Sequence, residues 1–209
     1  MNAEHLRAEF WNALTHGAGA VLSLVGGAVL VTLASLYGNG WQLTGAIVFS
    51  LSLIGLYTAS TLYHAVHEPK AKSRLKILDH CMIYVLIAGS YTPFALIALR
   101  GDGGWLLFGT IWTLAAAGIV FKLFFTGRFE LLSTLIYLAM GWLVVFAAGP
   151  MLRHVGTAEL VWLGVGGLFY SVGTVFYLWE RLRHNHAIWH GFVLAGSASH
   201  FVAINYLVL

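Results

Sequence analysis

Charge is what this chain has least of. Only 9% of its 209 residues are Asp, Glu, Lys or Arg, while 59% are hydrophobic. A soluble domain carries about 25% charged residues, so this composition excludes an ordinary water-facing surface. The formal charge of +3 is modest. Its basic residues fall in short connections between apolar segments, not on the continuous positive face that a nucleic acid requires, so no nucleic-acid partner is expected. Cysteine is almost missing as well: Cys81 stands alone, which rules out an internal disulfide and leaves the redox compartment open. Internal repeats, linkers and low-complexity tails are also absent, which points to one domain.

What the chain does have is long apolar runs. A helix needs about 20 predominantly apolar residues to cross the hydrocarbon core. Seven segments reach that length, at approximately 13–37, 41–64, 77–99, 104–125, 131–150, 158–179 and 188–209. The expectation is an all-α integral membrane protein, a single seven-transmembrane helix bundle over residues 1–209, with membrane lipids as its partners. The first run follows Glu4, Arg7 and Glu9 and exceeds a signal-peptide core of roughly 7–15 residues, so it reads as a retained span. Gly17, Gly19, Gly26 and Gly27 permit close helix approach. Pro93 falls inside the third span, where neighbours can satisfy the carbonyl it frees. The last span contains no lysine, which argues against a retinal Schiff base.

The positive charges orient the bundle. With the N-terminus inside, the inner side holds Arg7, Lys70, Lys72, Arg74, Lys76, Lys122, Arg128, Arg181 and Arg183, and the outer side Arg100 and Arg153. Nine against two favours a cell (inner/plasma) membrane protein with a cytoplasmic N-terminus and an outward C-terminus. The basic run from Lys70 to Lys76 reads first as a topology determinant and second as a contact for anionic headgroups.

This topology gathers polar residues that are far apart in sequence. His64 closes the second span, Asp79 and His80 open the third, and His186 and His190 open the seventh, all on the cytoplasmic side. Glu9, Asn12 and His16 flank the first span at that same level. His186 and His190 lie one helical turn apart on one face, as do Ser60 and His64. Three imidazoles and a water form a recurrent catalytic zinc site. Asp79 could act as general base and Ser60 could orient the water or donate to an oxyanion. Each residue also has a plainer role available: interfacial hydrogen bonding for the histidines, helix capping for Asp79, a backbone bond for Ser60. His200, about 15 Å farther along the seventh span, reads as a packed polar residue. His5, His67, His154 and His184 read as loop or terminal residues.

Five motifs in register resemble the hemolysin III family, the bacterial branch of the adiponectin and progestin receptor family. They are Glu9-Phe10-Trp11-Asn12-Ala13-Leu14-Thr15-His16, Ser60-Thr61-Leu62-Tyr63-His64, Asp79-His80, Gly89-Ser90-Tyr91-Thr92-Pro93 and His186-Ala187-Ile188-Trp189-His190. The resemblance implies seven helices and one zinc ion held by His64, His186 and His190. It places Asp79 and Ser60 beside the water, with His80, Glu9, Asn12 and His16 as candidates for the surrounding shell. The wider superfamily includes alkaline ceramidases, so it suggests hydrolysis of a lipid amide or ester and a part in membrane lipid homeostasis. A non-enzymatic regulator with structural zinc and a pore-forming cytolysin are the alternatives. The scarcity of polar residues in mid-span argues against a wide pore. Oligomeric state is not legible.

Overall fold

The apolar runs fold as helices. The computed structural model describes residues 3–209, and among these every regular element is helical. Seven helical stretches are long and apolar enough to cross a membrane. The first four spans are α1 (Ala3–Tyr37), α2 (Gly40–Ala65), α3 (Pro69–Pro93) and α4 (Gly104–Phe125). The fifth is broken into α5 (Glu130–Gly141) and α6 (Ala148–His154). The last two are α7 (Thr157–Leu178) and α8 (Asn185–Val208). Phe146 is 91% exposed and Leu106 76%, as side chains facing lipid hydrocarbon should be.

Three helix starts differ from the expectation by three residues or more, because hydropathy marks only the membrane-buried part of a helix. The first helix begins at Ala3, so Glu4, Arg7 and Glu9 are helical. The third begins at Pro69: Glu68 accepts from the Lys70 and Ala71 amides at 3.0 and 2.6 Å, with proline at the first helical position. Cap and proline together start a helix well before the apolar run. Lys70 to Lys76 therefore form its opening turns, not a loop, and Asp79 lies inside the helix, which removes its capping alternative. The seventh helix starts at Asn185, so His186 is already helical.

Close contact at glycine ties the spans together. A methyl on Gly89 would come within 2.3 Å of Ser52 Oγ, and one on Gly118 within 2.3 Å of the Tyr84 ring, so α2, α3 and α4 meet at distances that only a hydrogen side chain allows. Lys122 is turned inward at the end of α4. It is 1% exposed and donates to Ser133 Oγ at 2.6 Å, which links the fourth and fifth spans. At the opposite end, Asp102 accepts from Arg153 at 2.7 Å and contacts His154 at 3.1 Å. The Arg153 hydrogen bond holds the Asp102 carboxyl below its ordinary range.

Pro93 has no N–H to donate, and the chain passes directly into a wider π turn over Phe94–Ala98. The fifth span loses its α-helical pattern over Trp142–Ala147, where it tightens to a 3₁₀ segment. One side chain repairs that break. The Tyr91 hydroxyl reaches the carbonyls of Met140 and Gly141 at 2.9 and 2.8 Å and accepts from the Val144 amide at 2.8 Å. In the bilayer no water can replace these bonds. Tyr91→Phe is expected to destabilise the bundle by about 1–3 kcal/mol, measured as a lowered midpoint in denaturant-induced unfolding. An unchanged midpoint would refute the repair role.

Candidate metal centre

Three imidazoles meet at the end of the bundle that carries the start of α1. The end of α2 supplies His64 and the first two turns of α8 supply His186 and His190. Ring centroids are separated by 5.0 Å for His64–His186, 5.1 Å for His64–His190 and 4.6 Å for His186–His190. One nitrogen from each ring falls within 4.8 Å of the others, close enough for one ion to bridge all three.

The surrounding bonds select which nitrogen each ring can offer. His190 Nδ1 lies 3.2 Å from the Asn12 carbonyl and 3.1 Å from Thr15 Oγ1. The carbonyl can only accept, so Nδ1 carries the proton and Nε2 keeps its lone pair. His64 Nδ1 lies 3.4 Å from Glu9 Oε2, too poorly aligned for a good hydrogen bond but close enough to orient the ring. Glu9 is itself gripped by Lys72. Lys72 also donates to the carbonyls of Tyr63 and Val66 at 2.9 and 3.4 Å and lies over the Tyr63 ring. One lysine thereby joins α1, α2 and α3 behind His64.

The residues fit a metal. Both ring nitrogens of His64 are buried without a hydrogen-bond partner, and a buried polar atom so left is costly unless something else meets it. Neutral imidazole is a good zinc ligand. A metal-binding histidine commonly donates its other N–H to a carbonyl or lies against a carboxylate, the very partners found at His190 and His64.

Asp79 and Ser60 sit beside the cluster. Both line a cavity of about 380 Å³ together with His16, His80, His186 and His190. Ser60 Oγ is buried, forms no backbone bond and lies near the Asp79 carboxyl. His80 is turned aside: its Nδ1 donates to the Lys76 carbonyl at 2.8 Å and lies 3.4 Å from Asp79 Oδ2. His16 stacks on His190 at 3.4 Å between centroids, nearly parallel. His200 is remote and donates to the Leu163 carbonyl at 3.3 Å. Away from the histidines the cavity is walled by apolar side chains, among them Ile83, Leu86, Val145, Leu160 and Val193.

Comparison with known proteins supplies the family. Residues 4–201 match the model of the family described as Haemolysin-III related. The chain belongs to the haemolysin III family. It is 47% identical to Hemolysin-3 of Bacillus cereus over 206 residues, covering 99% of this chain and 94% of that protein. It is 46% identical to the Hemolysin-3 homolog of Bacillus subtilis (strain 168), with 95% and 93% covered. A more distant relative is the human Monocyte to macrophage differentiation factor, 30% identical with 92% and 81% covered. That similarity extends the haemolysin III chain to the adiponectin and progestin receptor-like group.

The sequence reading singles out neither Lys72 nor Thr15 as a site residue. Lys72 sits in a basic run that topology alone explains. Thr15 does carry a signal, because Asn12, Thr15 and His16 share one helical face. Purified protein is expected to carry one zinc per chain by elemental analysis. His64→Ala, His186→Ala and His190→Ala should lose it, and Glu9→Gln should weaken it by about 10–100-fold. Full zinc content in all four variants would eliminate the site.

Proposed function

We propose that this haemolysin III protein is an intramembrane, zinc-dependent hydrolase of an acyl lipid, cleaving an amide or ester as part of membrane lipid homeostasis. The observation that carries this reading is the shared cavity. His186 and His190 of the histidine cluster, with Asp79 and Ser60, open onto the same apolar chamber, which suits an acyl chain whose carbonyl lies at the polar end. Zinc on His64, His186 and His190 would supply Lewis-acid polarisation of that carbonyl and activation of a water.

The chain's own residues have separable tasks. Asp79, buried beside Ser60, accepts the proton of the attacking water and returns it to the leaving amine or alcohol. Ser60 Oγ, with no backbone bond to release, is available to donate to the oxyanion or to orient the water. The Asn12 carbonyl, Thr15 and Glu9 hold the imidazoles in register. The apolar walls exclude bulk water and keep the chain aligned, which lowers the entropic cost of reaching the reactive pose.

The Bacillus relatives are named hemolysins, which favours a cytolytic pore as the second reading. Apolar walls around the cavity argue against it, because ion flow needs a hydrated path. A non-enzymatic regulator with structural zinc would retain metal dependence of folding but show no turnover.

Asp79→Asn is expected to lower lipid-amide or ester hydrolysis by about 100-fold or more while retaining zinc. Undiminished hydrolysis in Asp79→Asn, or none from zinc-loaded wild type across ceramides and phospholipids, would reject the enzyme reading. Orientation is a separate proposal: the N-terminus and histidine cluster face the cytoplasm. A cysteine at position 70 should resist a membrane-impermeant thiol reagent in intact cells, and one at position 102 should react, both in a Cys81→Ala background. The opposite labelling would invert the topology.

A further inference from the structure

We propose that Tyr177 is a further lipid-binding residue of the chamber, whose phenol donates a hydrogen bond to the carbonyl oxygen of the bound acyl group. This rests on reading the chamber as the site of an acyl lipid, and it names a side chain that orients that lipid.

Most hydroxyls of the chamber have no hydrogen bond left to give. Ser90, Thr134, Ser171 and Thr174 line it, and each donates to a backbone carbonyl of its own helix. The Tyr137 hydroxyl donates to the His80 carbonyl at 3.3 Å. The hydroxyls of Tyr57, Tyr170 and Ser197 are satisfied by one another and by the Val193 carbonyl. His200 Nδ1 lacks a partner, but it is sealed away.

Tyr177 differs on both counts. It lines the chamber, and its hydroxyl forms no hydrogen bond with another described residue. Unlike His200 Nδ1, that hydroxyl keeps accessible surface. It also lies within electrostatic reach of Tyr63 on α2, Asp79 on α3 and Glu130 on α5. A group so close to three other helices points into the polar end of the bundle and not out to lipid.

The phenol is held in place. Its ring lies 5.9 Å from the His186 ring and 5.7 Å from the Trp189 ring, between centroids. Trp189 is itself pinned: a methyl on Gly173 would come within 2.7 Å of it. The Tyr177 carbonyl accepts from Asn185 Nδ2 at 3.3 Å, which ties the end of α7 to the start of α8. A donor fixed before the ligand arrives loses little entropy on binding it.

The surroundings select the acceptor. No lysine or arginine lines the chamber, so no fixed cation offsets a phosphate there, and Asp79 adds to the repulsion. An uncharged oxygen fits, and the acyl carbonyl is the one that amides and esters share. A carbonyl oxygen has two lone pairs, so a bond from Tyr177 leaves the second free for polarisation at the histidine cluster. In an apolar chamber such a bond is stronger than in water.

The test uses zinc-loaded, full-length protein in nanodiscs of ether-linked lipid, which carry no competing acyl carbonyl. The probe is 2-nonadecanone, a long-chain ketone with no bond to hydrolyse, and nonadecane is the control without a carbonyl. By tryptophan fluorescence titration, Tyr177→Phe is expected to bind the ketone about tenfold more weakly than wild type, the factor that one hydrogen bond carries. Affinity for nonadecane and zinc content should not change. The carbonyl stretch of the bound, isotope-labelled ketone should lie at lower wavenumber in wild type than in Tyr177→Phe. Equal ketone affinity in the two proteins would overturn the proposal. So would equal weakening of ketone and alkane, which would mark a packing role, or failure of the ketone to bind wild type. If Tyr177→Phe fails to fold, a fluorinated tyrosine at position 177, a stronger donor of the same shape, should lower the carbonyl stretch further; an unmoved band would overturn the proposal. Absence of hydrolysis with any lipid would reject the enzyme reading without altering these ketone affinities.

Discussion

The bond from His190 Nδ1 to the Asn12 carbonyl, at 3.2 Å, is the contact on which the rest of the centre depends. It joins the first span to the seventh and sets the tautomer of a ring that is 1% exposed. Inside a bilayer no bulk water is present to satisfy either ring nitrogen. With Nδ1 committed to the backbone, Nε2 must find its partner among the other imidazoles or on an ion they share. The same constraint acts on His64, whose ring leans on Glu9, which Lys72 holds. A histidine cluster without such supports would be a set of rings free to rotate. These supports come from α1 and α3, while the ligands come from α2 and α8, so assembly of the whole bundle is a condition for the site.

The bundle is unevenly built, and the unevenness has a use. The first three spans and the seventh carry most of the buried polar groups, including Glu9, His16, Ser60, His64, Asp79 and His190. The fifth and sixth are more exposed, with only 17% of their most apolar windows buried. The fifth is also the span whose helix breaks and is mended by Tyr91. Tyr91, Gly141, Trp142 and Val144 all line the chamber, so the repaired break is part of its wall. A continuous α-helix there would present a different set of side chains to the space that extends toward His200.

Residue type and level in the membrane were legible in the sequence. His64, His186, His190, Asp79 and Ser60 are separated by up to 130 positions, yet span count and helical rise bring them to one depth. The charge bias set an expected side for that depth, and the motif order suggested which of them are neighbours. Lateral packing was not legible from composition or period. Nothing in the pattern of Lys70 to Lys76 singles out Lys72 as the residue that grips Glu9. Nor does hydropathy show that α1 continues to Ala3, because a helix outside the hydrocarbon has no need to be apolar. Tyr91 lay in a recognised motif, but its partners belong to a helix break, and breaks of that kind depend on tertiary context. His200 was read as packed, and its Nε2 bond agrees with that. Its unpartnered Nδ1 becomes visible only once Leu163 is seen to occupy the other nitrogen.

Whether a metal held here performs chemistry or only holds helices together turns on its fourth position. A structural zinc site is closed by four protein ligands. Beside the three histidines, Glu9 is engaged with Lys72 and Asp79 with His80, while His16 stacks on His190 with both ring nitrogens unpartnered but stands outside the group whose ligand atoms converge. Asp79 also belongs to the wall of the chamber rather than to the group of three whose ligand atoms converge. A site built only to brace helices gains nothing from opening onto an apolar cavity, since each unfilled volume forfeits packing contacts. Nor does it gain from a buried serine with no backbone bond beside a buried carboxylate, because both are costly to desolvate. Those costs are explicable if the cavity and the two polar groups act on a ligand that reaches the open position. The arrangement therefore favours the proposed hydrolysis over mere bracing, should a metal be held there.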